Sequence, residues 1–193
     1  MYGAEKGWLL FLESLIEQYK LHQLNKEDVL REVMTDYGAD LTRLAYSYVK
    51  DITTAEDITQ EVFLKCYTKL DSFKGNSSLK TWLNRITVNK CKDYLKSGWK
   101  KYIQFDLPLF KDPKTYETPE SQVTKQVEHD TLTQFVLKLP VKYREVIILY
   151  YFHDQSTKEI SESLNLKDTS VRTRLRRARQ ILEEHLDKRN EEE

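Results

Sequence analysis

From Lys26 to Gly98, and again from Leu132 to Leu186, the apolar residues of this chain recur at steps of three and four, and no run alternates at steps of two. That period dictates helices. Leu30, Val33, Tyr37, Leu41, Leu44 and Tyr48 form the first stripe, with Gly38 as a candidate break into two helices. After a polar stretch at 51–54, Thr54 is a plausible N-cap for a helix whose inward stripe is Ile58, Val62, Cys66 and Leu70. Residues 71–79 read as a loop. Ser78 or Lys80 then opens a third helix with core positions Leu83, Ile86, Lys90 or Cys91, and Tyr94. The pattern stops after Gly98 and returns at Leu132. Pro140 marks a helix start, residues 141–152 are densely apolar, and Ser156 caps a short helix over 158–163. Residues 165–168 form a turn. A last helix from Thr169 to about Leu186 carries Val171, Leu175, Ala178, Leu182 and Leu186 on one side. Only 5 glycines and 4 prolines interrupt the 193 residues, which argues against a turn-rich all-β fold.

The expected architecture is all-α: two small helical domains joined by a flexible linker, the C-terminal one a helix-turn-helix. The divisions fall at 1–25, an extension; 26–98, a first helical domain; 99–131, a linker holding Pro108, Pro113 and Pro119; 132–187, a second helical domain; and 188–193, a charged and frayed tail. In the extension, Trp8, Phe11, Leu12, Leu15, Ile16 and Tyr19 have the spacing of an amphipathic helix.

Lys plus Arg and Asp plus Glu each number 31, so the formal net charge is zero, but the charges are not mixed. Residues 1–62 hold 12 acidic and 6 basic side chains. Residues 84–102 hold Arg85, Lys90, Lys92, Lys96, Lys100 and Lys101 against Asp93 alone. Residues 167–179 hold Lys167, Arg172, Arg174, Arg176, Arg177 and Arg179 against Asp168 alone. Two basic patches on an otherwise acidic chain look like two phosphate footprints. On charge alone, two solvated helix faces account for them equally well. Cys66 and Cys91 lie inside helical stripes without metal or redox spacing, and read as reduced, packed thiols of a cytoplasmic protein. His22, His129, His153 and His185 are isolated from one another, so no metal site and no cofactor are expected. No apolar run approaches a membrane span, and no signal peptide is apparent.

Three constellations carry function. In the first, two helices joined by a polar turn have helix-turn-helix spacing. Ile160 and Leu164 would pack on Val171 and Leu175, leaving Arg172, Arg174, Arg176 and Arg177 outward. Thr169 and Ser170 sit at the second helix's start, where backbone N–H groups and hydroxyls take a phosphate. Lys158, Lys167 and Thr173 complete this DNA-binding set. The competing reading is a basic amphipathic helix that only packs or lies on a membrane; the preceding helix and turn weigh against it. In the second, Asp57, Gln60, Glu61 and Phe63 remain partly outward beside the stripe Ile58, Val62 and Cys66, as a protein-contact surface would. A solvated acidic face explains the charges alone more simply. The third is the loop Phe73, Lys74, Gly75, Asn76, Ser77 and Ser78 with Trp82, followed by Asn84, Arg85, Asn89, Lys92 and Lys96. Small polar groups beside an aromatic can hold a base out of its stack, and the cations can follow the phosphates. Trp82 is better read as core than as a stacking platform.

These segments resemble the extracytoplasmic-function group of the sigma-70 family. LTRLAYSYV (41–49), AEDITQEVF (55–63), FKGNSSLKTWLNRI (73–86) and VNKCKDYL (88–95) are similar to its second region. LPVKYREVI (139–147), STKEISESL (156–164) and VRTRLRRARQIL (171–182) are similar to its fourth. The resemblance implies that residues 26–98 bind core polymerase and melt DNA, and that 132–187 recognise the −35 element. It places Asp57, Gln60, Glu61 and Phe63 on the clamp helices of the polymerase largest subunit. It places residues 73–78 at an unpaired base of the −10 element, 84–96 along the non-template strand, and 169–177 in the −35 major groove. It further implies contact with the flap of the second largest subunit, a linker threading near the polymerase channel, and an anti-sigma partner that can hold the protein at the membrane. The group's melting region is poor in exposed aromatics, which implies strict promoter demands. The chemistry in such a complex belongs to polymerase, so this chain is not expected to be an enzyme. The alternative is a helix-turn-helix transcriptional regulator that does not join polymerase. It explains the C-terminal half equally well, but not the second basic helix behind a Gly-Asn-Ser-Ser loop. An RNA-modifying or nucleotide enzyme lacks a catalytic constellation.

Overall fold

A computed structural model describes residues 17–19, 21, 24–105 and 131–192. The principal elements are α1 (Lys26–Val49), α2 (Ile52–Lys69), a 3-10 turn (Leu70–Ser72), α3 (Leu79–Phe105), α4 (Thr131–Lys138), α5 (Val141–Tyr151), α6 (Thr157–Leu164) and α7 (Asp168–Glu192), with no strand among the described residues. The fold is all-α, as the periodicity requires.

Local chemistry sets the boundaries. The Asn25 side chain accepts from the Asp28 amide at 2.8 Å and starts α1, and Lys50 ends it in the left-handed region at φ 56°. Asp51, not Thr54, caps α2: its Oδ1 accepts from the Thr54 amide at 2.8 Å, so the helix begins a turn earlier than expected. α1 runs unbroken through Gly38. One glycine costs only about 1 kcal/mol against alanine, too little to break a helix buried on both sides of it.

α1, α2 and α3 share one core. Val33, Leu41, Leu44, Ala55, Val62, Cys66, Leu83, Val88 and Cys91 are all buried there. Cys91 rather than Lys90 faces it, since Lys90 is half-buried and paired with Glu61. Burial pushes the Cys66 thiol up to about 11 and the Cys91 thiol up to about 12, so both stay protonated. Tyr94 is exposed rather than buried, because the described side chains of α3 beyond Cys91 are only half-buried or exposed. The backbone nevertheless stays helical to Phe105, past the expected stop at Gly98.

α5, α6 and α7 form the second core around Val146, Leu149, Ile160, Val171, Leu175 and Ala178. Buried Arg144 donates to the carbonyls of Leu137 and Leu139, satisfying orphan acceptors at the end of α4. The α7 stripe fades outward: Leu182 is half-buried and Leu186 exposed. Even so, α7 continues to Glu192, where a frayed tail was expected.

The linker residues 106–130 and, in the extension, Trp8, Phe11, Leu12, Leu15 and Ile16 lie outside the described residues. Tyr19 is tied down, donating to Asp71, which also takes Lys26. Tyr67 donates to Glu27 at 2.6 Å across the same corner.

Candidate nucleic-acid interface

The helix-turn-helix is built from short-range bonds. Ser156 Oγ accepts from the Glu159 amide at 3.3 Å while Glu159 Oε2 accepts from the Ser156 amide at 2.9 Å, a capping box that starts α6. Asn165 ends α6 at φ 54°, and the Leu166 amide closes the turn on the Ser161 carbonyl at 2.9 Å. Ile160 and Leu164 of α6 and Val171 and Leu175 of α7 are buried together, as the spacing predicts.

Arg172, Thr173, Arg176 and Arg177 are exposed on the outer side of α7, with Thr169 exposed and Ser170 half-buried at its start. Lys158 and Lys167 are exposed nearby. Arg172 Nε is held by Asp168 Oδ2 at 2.7 Å, one turn back. A hydrogen bond from Thr157 and the Arg172 guanidinium together hold the Asp168 carboxyl below its ordinary value. Thr173 Oγ1 donates to the Thr169 carbonyl at 2.9 Å. Arg174 departs from the expectation. It is turned inward, with Nη1 2.8 Å from Glu145 Oε1, because its position on α7 points toward α5 and a carboxylate waits there.

On α3, Arg85, Asn89, Lys92 and Lys96 follow one another at steps of four, three and four, and so share one face. Arg85, Asn89 and Lys96 are exposed; Lys92 is half-buried. Asn84 does not belong to that face. It is 1% exposed, and neither Oδ1 nor Nδ2 has a partner among the described residues, so it cannot follow a strand from this position.

The loop divides into an anchor and a tip. Phe73 is buried, its ring 5.0 Å from that of half-buried Trp82, so these two aromatics pack on each other rather than offering a platform. Lys74, Gly75 and Asn76 are exposed, with Gly75 at φ 74°, where a side chain would strain the turn. Ser77 and Ser78 are half-buried, and Ser78 Oγ accepts from the Thr81 amide at 3.1 Å to start α3.

On α2, Asp57, Gln60 and Glu61 are exposed, with Glu61 paired to Lys90 of α3. Phe63 is 8% exposed and packs beside Gly38. It is core, because α2 is covered by both α1 and α3 and buries two adjacent rows of side chains. The exposed apolar residue beside Gln60 is Leu64, 66% exposed and one helical turn on. The sequence reading passed over Leu64, since a one-row stripe leaves it with no distinct place.

Sequence reasoning also missed Glu145. The carboxylate is 3% exposed, between the two helical units. Tyr48 Oη donates to its Oε2 at 2.8 Å, Lys92 Nζ lies 3.1 Å from the same oxygen, and Arg174 Nη1 takes Oε1. An acid inside the apolar run 141–152 was the available signal.

Residues 33–101 match the family description Sigma-70 region 2, and residues 129–182 match Sigma-70, region 4. The chain belongs to the sigma-70 family. It is 32% identical over 187 residues to the ECF RNA polymerase sigma factor SigW of Bacillus subtilis, covering 91% of this chain and 98% of SigW. It is 29% identical to the RNA polymerase sigma factor YlaC of the same organism, covering 88% of this chain and 99% of YlaC. The fold is also similar to that of the sigma factor RpoE solved in complex with the anti-sigma factor NepR from Bartonella quintana. That match has a TM-score of 0.68 at 23% identity and covers 83% of this chain and 98% of the other. The chain is a sigma factor of the extracytoplasmic-function group, a transcription initiation subunit that directs polymerase to promoters. A helix-turn-helix regulator alone would leave region 2 without a role. No helix among the described residues is long and apolar enough to cross a membrane.

Proposed function

We propose that this sigma factor reads duplex promoter DNA through the outer face of α7 and captures melted DNA through the loop tip and α3. Arg172, Thr173, Arg176 and Arg177, with Thr169 and Ser170 at the helix start and Lys158 and Lys167 flanking, contact the −35 element. Lys74, Gly75, Asn76 and Ser77 hold an unpaired base of the −10 element, and Arg85, Asn89, Lys92 and Lys96 follow the displaced strand's phosphates. Asp57, Gln60, Glu61 and Leu64 take the clamp helices of the polymerase largest subunit, and region 4 meets the flap of the second largest. An anti-sigma protein, as in the RpoE–NepR pair, is the expected antagonist, and the site of action is the cytoplasm. Polymerase supplies the chemistry.

The observation that carries this reading is the pair of separate cationic helix faces, one on each family-matched unit. Duplex and single-strand contact by different faces gives different failures. Replacing Asn76 and Ser77 by alanine should leave closed complexes nearly intact and impair opening, since unstacking a base costs a few kcal/mol that an absent pocket no longer offsets. Permanganate reactivity of unpaired thymines, measured with core polymerase on a cognate promoter, reports opening. Normal opening by that variant would sink the assignment of the loop.

A further inference from the structure

The two units do not simply hang from a linker; they touch, and one side chain of the contact, Lys92, is needed elsewhere by the proposed function. Glu145 of region 4 binds Lys92 of the α3 stripe and Arg174 of the recognition helix at once, and takes the Tyr48 hydroxyl as well. Beside it α6 lies on α3. Gln155 Nε2 reaches Thr81 Oγ1 at 3.4 Å, Thr81 Oγ1 reaches Glu159 Oε1 at 3.3 Å, and Ser163 Oγ lies 3.5 Å from the Thr81 carbonyl.

We infer that this is a self-closed state of the free sigma factor, latched by Glu145, and that the latch must part before promoter DNA can be engaged. The inference rests on the proposed roles of α3 and α7. Three observations carry it. First, the buried Glu145 carboxylate of region 4 occupies Lys92 of the strand-following face, so a phosphate must compete with a buried acid for that cation. Second, reach forbids working closed. Elements centred near −10 and −35 are separated by about 25 base pairs, on the order of 85 Å of duplex. Region 2 and region 4, joined through Lys92 and Glu145, cannot reach both. Residues 106–130 between the units can extend about 3.3–3.6 Å each, enough to span that separation once the contact opens.

Third, the contact is built to separate. Around Thr81 its hydrogen bonds are long, at 3.4, 3.3 and 3.5 Å, and buried polar atoms go unsatisfied. Asn84, one turn along α3 from Thr81, has both amide atoms unpartnered among the described residues, as has Nδ1 of buried His153. Water satisfies such buried polar atoms wherever opening exposes them.

The test uses the full chain with Thr81→Cys and Ser163→Cys. Mild oxidation of the free protein should join the two positions, and adding Glu145→Gln should slow that joining several-fold. Joined protein, mixed with core polymerase on a promoter that the wild-type chain opens, should lose transcription at least tenfold, and reductant should restore it. Failure of the cysteines to join, or full transcription by the joined form, would overturn the latch. Failure of the wild-type chain to direct polymerase at all would count instead against the sigma-factor roles on which the latch rests.

Discussion

At the scale of single residues, α2 shows how a one-row view of a helix misplaces side chains. Phe63 is 8% exposed while its neighbour Leu64 is 66% exposed. Phe63→Ala should therefore behave as a core truncation, costing about 3–5 kcal/mol and lowering the melting temperature. Gln60→Ala with Leu64→Ala should leave the melting temperature nearly unchanged and weaken retention on core polymerase. A pull-down with undiminished retention for the second pair would remove α2's outer face from the polymerase contact. Asn84 repeats the lesson. Its polarity beside Arg85 and Asn89 looked like strand contact, but residue type does not report which way a helix is turned. The stripe Ala55, Thr59 and Phe63 was present in the sequence all along; what was missing was that two helices, not one, cover α2.

At the scale of elements, period and capping chemistry made most of the fold legible. The polar break before α2, Ser156 ahead of α6 and the turn before α7 were readable because each rests on bonds within a few residues. Boundaries failed where two local options competed, as at Asp51 and Thr54, or where a helix outruns its core, as α3 does beyond Cys91. Within α7 the exposed arginines should separate by role. A base-reading arginine contributes roughly 1–3 kcal/mol of discrimination, whereas a phosphate-binding one strengthens all sequences alike. Arg172, braced by Asp168 at 2.7 Å, has a fixed geometry suited to a base edge. Arg172→Ala should relax preference at one position of the −35 element, while Arg176→Ala should weaken every sequence and flatten the salt dependence. Measuring affinities across a set of single-base operator changes at two salt concentrations distinguishes them. A uniform loss for Arg172→Ala would reassign it to the backbone.

At the scale of the whole molecule, the pairing between units was illegible in the sequence, because its partners are far apart along the chain and neither a stripe position nor a lone acid names its partner. Tyr48 and Glu145, for instance, are 97 residues apart. His153 gives this scale a measurable consequence. It sits just past α5 of region 4 with Asp40 and Arg43 of α1, Lys80 of α3 and its neighbour Asp154 as the charged groups acting on it. Burial, the larger cause, pushes its pKa down to about 4 from an ordinary 6.5; Lys80 and Arg43 add to this, and Asp40 and Asp154 oppose it. A depressed histidine contributes stability that is complete above pH 6.5 and is lost as pH falls toward 4. Between pH 7.5 and 5 the loss is about 2 kcal/mol. Asp36, whose carboxyl burial and the nearby Glu32 charge raise, runs the other way, so the readout must be a difference. The wild-type melting temperature should fall more steeply than that of His153→Gln as pH drops from 7.5 to 5, and parallel curves would show that His153 is not held neutral. Acidification should also slow the joining of cysteines placed at Thr81 and Ser163, after correction for thiol ionisation with a cysteine pair placed within one unit. Protonating His153 adds a charge that Arg43 and Lys80 oppose, and is expected to loosen the same contact that Glu145 holds.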